Sequence, residues 1–155
     1  LDQVADIDGV SESVPISAEI GFYWPIDDTY KTMLGVVSHA TTQYYTFDST
    51  GEELSISQSL IAFSGYHFFG QNIGDGWYAR GDLGLSSFTS YYNSGTTDNF
   101  TSSSETDFGF GTNLGGGYGF RIGTETRMTW GAHIGYLTAN ANNVLNVMTS
   151  LGFIF

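Results

Sequence analysis

From Ile16 to Phe155, apolar residues recur at every second position in segments separated by Gly, Asn, Asp and Ser clusters. Strand side chains alternate sides, so this period marks β-strands with one apolar face. Ile16, Ala18, Ile20, Phe22, Trp24 and Ile26 share the first face, and Asp27-Asp28-Thr29 turns the chain. Leu34, Val36, Ala40 and Tyr44 form the second face, opposite Lys31, Gly35, His39, Thr41 and Gln43. Leu54, Ile56, Leu60, Ala62, Tyr66 and Phe68 form the third; Ile61 and Phe63 interrupt its alternation, and a bulge is expected there. After a Gly70–Gly76 turn, Trp77, Ala79, Leu83, Leu85 and Tyr91 face away from Tyr78, Arg80, Asp82, Gly84 and Ser86. A polar loop from Asn93 to Thr106 precedes a fifth face of Phe108, Phe110, Leu114, Tyr118, Phe120 and Ile122. Met128, Trp130, Ala132, Ile134 and Tyr136 follow, then Leu145, Val147, Leu151, Phe153 and Phe155. Seven strands joined as hairpins are legible.

The opposite face decides which environment each side meets. A solvated strand surface carries Lys, Glu and Arg, whereas this one is mainly Gly, Ser, Thr and Asn with isolated charges. Aromatics gather at the strand ends: Trp24, Phe68, Trp77, Phe120, Trp130, Phe153 and Phe155 at one rim, and Tyr44, Tyr91, Phe108 and Tyr136 at the other. Two girdles flanking an apolar band are expected of a transmembrane β-barrel. The fold expected is therefore all-β, an antiparallel up-and-down barrel of about eight strands spanning residues 14–155. A soluble ligand-holding barrel is the second choice. No run approaches the ~18 apolar residues of a membrane helix, but barrel strands escape that test.

Composition narrows the partners. Sixteen Asp and Glu against four Lys and Arg give a formal charge of −12. Nucleic acid is disfavoured, because phosphate binding needs clustered cations. Aromatics at 16% argue against disorder, and the absence of Cys removes disulfides and thiolate metal sites. The first residue, Leu1, suggests a processed or trimmed chain.

The alternating run from Val144 that stops on Phe155 resembles the last strand of bacterial outer-membrane β-barrels. The whole pattern over 14–155 is similar to small barrels of the OmpX and OmpA-transmembrane-domain kind. That resemblance implies the bacterial outer membrane as location, its lipids as surroundings, and the barrel-insertion machinery as a partner reading the terminal aromatic. It also implies that Phe155 ends on the periplasmic side. The short turns near Asp27, Gly74 and Gly123 then become periplasmic, and the longer connections near Asp48, Asn93 and Thr138 extracellular.

Lys31, Arg80, Arg121 and Arg127 all fall on the polar face, as do Glu19, Asp82, His39 and His133. An eight-strand barrel is just wide enough to be filled by side chains, so these charges are expected to pair as a plug. A proton or ion pathway is the alternative. Inward glycines between Gly109 and Gly119 leave room for long neighbours. No helix follows Gly115-Gly116-Gly117, so a phosphate cradle is not expected.

Catalysis finds little support in the sequence. Small-barrel deacylases carry His-x-Ser on the penultimate strand, where this chain reads His133-Ile134-Gly135. Ser38 and His39 are adjacent and so point to opposite faces. His39 and His133 without a third ligand make no coordination shell, and His67 reads as a rim side chain. No cofactor is implied. The reading is a non-enzymatic structural or surface-interaction role; a narrow pore and a lipid A-modifying enzyme are the alternatives. Asp48, Glu52, Glu53, Asp98 and Glu105 make the loop rim anionic. Ca²⁺ or Mg²⁺ could bridge that rim to lipopolysaccharide phosphates, with Asp48, Glu52 and Glu53 as the candidate ligands, or the rim is merely solvated. The Asn99-Phe100-Thr101 sequon is read as a chance match.

Seven strands cannot close antiparallel, so an eighth is required. The acidic segment 1–13 makes a poor one, with Asp2, Asp6 and Asp8 on one face. The expected source is a strand upstream of Leu1, or one donated by another copy or a partner chain.

Overall fold

A computed structural model describes residues 10–48, 50, 52–94, 101–139 and 142–155. It is all-β: β1 (Val10–Glu12), β2 (Ile16–Pro25), β3 (Thr32–Phe47), β4 (Glu52–Phe68), β5 (Gly76–Ser94), β6 (Thr101–Arg121), β7 (Arg127–Ala139) and β8 (Asn142–Ile154). Every pairing is antiparallel, and β3 to β8 are neighbours in chain order. The additional strand beyond the seven expected is β1. It is short and shares one lane with β2: Val10 lies opposite Phe47, whereas Pro25 lies opposite Met33. The break between the two pieces holds Pro15, whose nitrogen carries no proton for a ladder bond. The eight strands form one sheet that is not closed, because β2 pairs only with β3 and β8 only with β7.

Two expectations about loops and ladders need correction. The Asn93–Thr106 connection is mostly strand: β5 and β6 stay paired to Ser94 opposite Thr101. Thr and Tyr suit a pleated surface, and Thr89 and Thr106 hydroxyls meet across the hairpin at 3.1 Å. The bulge expected in the third strand is absent, since β3–β4 and β4–β5 pair residue for residue.

The larger correction concerns which way β4 faces. Ile56, Leu60, Ala62, Tyr66 and Phe68 are buried, while Ile61 and Phe63 are exposed. Both faces of this strand are apolar, so alternation alone cannot orient it. Register decides: Ser64 lies opposite Asp82 and Tyr66 opposite Arg80, and opposed residues share a face. Burying that charged pair in a hydrogen-bonded interior carries the even positions of β4 inward. Phe68, expected in a rim girdle, is fully buried.

The sheet is strongly curled. Arg80 on β5 reaches Glu19 on β2, three lanes away, and Leu60 on β4 packs with Leu137 on β7. Gly111 makes the second contact possible, because a Cβ there would lie 2.7 Å from Leu60 Cδ1. The concave side is not purely polar. Met33, Tyr66, Phe68 and Tyr78 form one apolar cluster, and Val37, Leu60, Ala62 and Leu137 another.

The β2–β3 turn is built on one carboxylate. Asp27 accepts bonds from the Lys31 and Thr32 amides and from the Thr29 and Thr32 hydroxyls, while Tyr30 adopts a left-handed φ of 51°. Partial desolvation pulls its pKa up, but these donors outweigh it and hold it at about 2. A depressed carboxylate stabilises the fold above its unfolded pKa and ceases to do so as pH falls through the folded one. Asp27→Asn is therefore expected to lower the melting temperature at neutral pH. The gap to the unmutated protein should narrow as pH falls from about 4 toward 2; a constant gap refutes this origin.

Candidate functional site

The interior centre is assembled by the long guanidinium of Arg80 on β5. Its Nε donates to Asp82 Oδ1 at 2.9 Å, and its two terminal nitrogens donate to Glu19 Oε1 and Oε2 at 2.6 and 2.8 Å. Tyr66 adds its hydroxyl at 2.9 Å and its ring face, whose centroid lies 5.1 Å from Arg80 Cζ. Arg80 and Asp82 stand two apart on one strand, so both point inward without strain. Asp82 also accepts from the Ser64 hydroxyl at 2.5 Å and Asn113 Nδ2 at 3.3 Å. Tyr23 donates onward to Ser64. One guanidinium thus serves two carboxylates through a fork geometry that an ammonium could not reproduce.

Of the eight side chains that sequence places on the polar face, the structure joins three directly: Glu19, Arg80 and Asp82. His39 and His133 are buried and border the same cavity of about 750 Å³. Lys31, Arg121 and Arg127 stay apart. Arg121 is exposed and donates to the carbonyls of Gly123 and Thr124; Arg127 donates to the Thr126 carbonyl and lies against Gly74. Lys31 is half-buried beside the Asp27 turn, and the ion pairs among the described residues involve Arg80 alone. Strand ends offer these cations water and free turn carbonyls, so nothing draws them to the centre.

Sequence reasoning missed Ser64, Tyr66, Asn113 and Ser150. Counting register outward from the Gly70–Gly76 turn would have found the first two, since they face Asp82 and Arg80. Ser150 hydrogen-bonds His133 Nε2 at 2.8 Å, a serine–histidine pair on adjacent strands. Nucleophilic catalysis also needs a group orienting the histidine and donors for an oxyanion. No carboxylate bonds His133 Nδ1 among the described residues, and that atom lies over Gly115. Ser38 is exposed while His39 is buried, so they do not pair.

The remaining candidates lie outside this centre. Trp24, Trp77, Trp130, Tyr44, Tyr91, Tyr136 and Phe155 are all exposed on the outer face. His67 is also exposed, bonded to Thr32 and stacked edge-on with Phe69. At the loop end, Asp48 accepts from Ser11, and Glu52 accepts from Ser94 at 2.6 Å. Bonds from Ser94, Tyr92 and Thr50 hold the Glu52 carboxyl below its ordinary range. Glu53 points to the opposite face from Glu52, Glu105 is exposed, and Asp98 lies outside the described residues. No three metal-ligating side chains converge among the described residues.

Comparison with protein-family models, curated proteins and solved structures finds no match to this chain.

Proposed function

We propose that the protein is a small bacterial outer-membrane β-barrel whose polar lumen is plugged by the Arg80 network. In this reading it has a non-enzymatic structural or surface-interaction role carried by its acidic loops. One observation carries the proposal: the Arg80–Asp82 pair lies inside, while large apolar side chains lie outside on every strand from β2 to β8. Arg80 and Asp82 are 5% and 3% exposed, whereas Phe63, Leu83 and Val147 are 78%, 67% and 74% exposed. Phe22, Val36, Leu114 and Ile134 extend that outer surface around the sheet. Soluble proteins rarely show apolar patches above a few hundred Å². In hydrocarbon the same surface is favourable, and closure of the sheet would pair every backbone group there. Outer membrane lipids surround the barrel, and Trp24, Trp77, Trp130 and Phe155 mark the periplasmic interface.

The test is electrophoretic and electrical. Folded protein in detergent should resist SDS until heated, then shift mobility while its β-type circular dichroism collapses. A stable monomer in buffer without detergent overturns the membrane reading. In planar bilayers the Arg80 centre should leave no steady channel; reproducible single-channel conductance replaces the filled interior by a narrow pore. Calorimetry with Ca²⁺ tests the loop rim, and heat lost on replacing Glu52 and Glu53 by Gln would assign a cation bridge to lipid phosphate.

A further inference from the structure

The β6–β7 hairpin sets two cations against each other on its last rung. Arg121 pairs directly with Arg127 where the ladder ends and the turn closed by Ile122 and Thr126 begins. Residues directly opposite in an antiparallel pair share a face, and like charges there are destabilising. No carboxylate offsets them among the described residues. Ile154 stands opposite Arg127 in the next lane, and the β5–β6 ladder stops at Gly76–Gly119, short of Arg121. Glu125 in the same turn and Asp75 beside Gly74 form no ion pair with either guanidinium.

The donors in use go to the turn itself. Arg121 reaches the Gly123 and Thr124 carbonyls at 2.8 and 2.5 Å, and Arg127 the Thr126 carbonyl at 3.4 Å. These bonds leave the larger part of both donor forks unused. Arg127 is also held in place. Its stem crosses Gly74, whose φ of +74° is left-handed, and a Cβ there would lie 2.5 Å from Arg127 Cγ. The β4–β5 turn thus keeps a seat for this side chain, so the fork is ordered before a ligand arrives.

The outer face beside the pair is apolar and continuous. Phe120, Met128 and Phe153 make one row across β6, β7 and β8, and Tyr118, Trp130 and Leu151 the next. Trp130, Leu151 and Phe153 are exposed.

We infer that Arg121 and Arg127 together bind the phosphate of an anionic phospholipid, whose acyl chains lie along those two rows. Two forks on one rung suit a tetrahedral oxyanion, which accepts from both and cancels their repulsion. The acidity of the chain does not oppose this. Glu52 and Glu105 lie toward the other strand ends. A membrane thickness of about 30 Å is several times the screening length of ~8 Å.

The inference rests on the membrane reading, and one bilayer experiment separates the two. Trp24→Phe with Trp77→Phe leaves Trp130 as the only tryptophan, three residues from Arg127. Brominated phosphatidylglycerol, as the minor component of a phosphatidylcholine bilayer, should quench Trp130 as though enriched about 10- to 30-fold over its bulk fraction. Arg121→Gln with Arg127→Gln should return quenching to the bulk fraction, while Lys31→Gln should leave the enrichment unchanged. Should that double variant lose its heat-modifiable mobility, Arg121→Gln alone, at an exposed position, takes its place. Enrichment that is absent, that survives the arginine variants, or that Lys31→Gln also removes overturns the inference. So does its loss on adding sodium phosphate equimolar with the lipid at constant ionic strength, which would assign free phosphate instead. A bilayer wholly of brominated phosphatidylcholine should quench Trp130 strongly in every variant. Absence of that quenching overturns the membrane reading itself, whatever the headgroup preference.

Discussion

Arg80→Leu is expected to cost about 3–5 kcal/mol of unfolding free energy, the largest loss of any single substitution considered. The cost comes less from the lost hydrogen bonds than from what they leave behind. Asp82 is 3% exposed and would keep only Ser64 and Asn113, and Glu19 would lose both its guanidinium donors. Asp82 would then be a buried carboxylate without its cation, with the partly exposed Glu19 as a like charge nearby. Neutralising them restores most of the loss, so the triple variant Arg80→Leu, Glu19→Gln, Asp82→Asn should unfold close to the unmutated protein. Urea unfolding from detergent measures both. If Arg80→Leu alone is silent, or if the triple variant is no better than the single one, the buried pair is not what holds the curl. Arg80→Lys is informative between these limits, because a point charge cannot satisfy Glu19 and Asp82 together.

A cation on the outer face should cost nearly as much if that face meets lipid. Leu83→Arg and Ile134→Arg are each expected to lose about 2–4 kcal/mol near mid-membrane, falling toward zero for a position near an interface. Ile61→Arg extends the test to β4, whose outward face the sequence pattern had assigned to the other parity. These side chains have no interior partner to lose, so the penalty reports their surroundings alone. Losses below about 0.5 kcal/mol at all three positions are what a water-facing surface gives, and would remove lipid from the account.

Arg80 and Leu83 show how much could be read from the chain. Their opposite facing follows from the period-2 pattern, and the parity of β2, β3, β5, β6, β7 and β8 is legible in the same way. The small polar residues opposite the apolar face mark which side is enclosed. The placement of Glu19, Arg80 and Asp82 on that side needed nothing beyond counting. What counting cannot supply is distance across lanes. That Arg80 reaches Glu19 while Lys31, Arg121 and Arg127 stay at the turns depends on curl and height along the strand, which no local window contains.

Local alternation thus determined the strands, the turns and the sorting of most side chains, because side-chain direction in a strand is fixed by the residue's own backbone. Tertiary structure alone decided the facing of β4, the fully buried Phe68, the His133–Ser150 pair and the separation of β2 from β8. Each of these depends on register between segments far apart in sequence. Where both faces of a strand are apolar, as at Leu60 and Ile61, only the partner across the ladder breaks the tie.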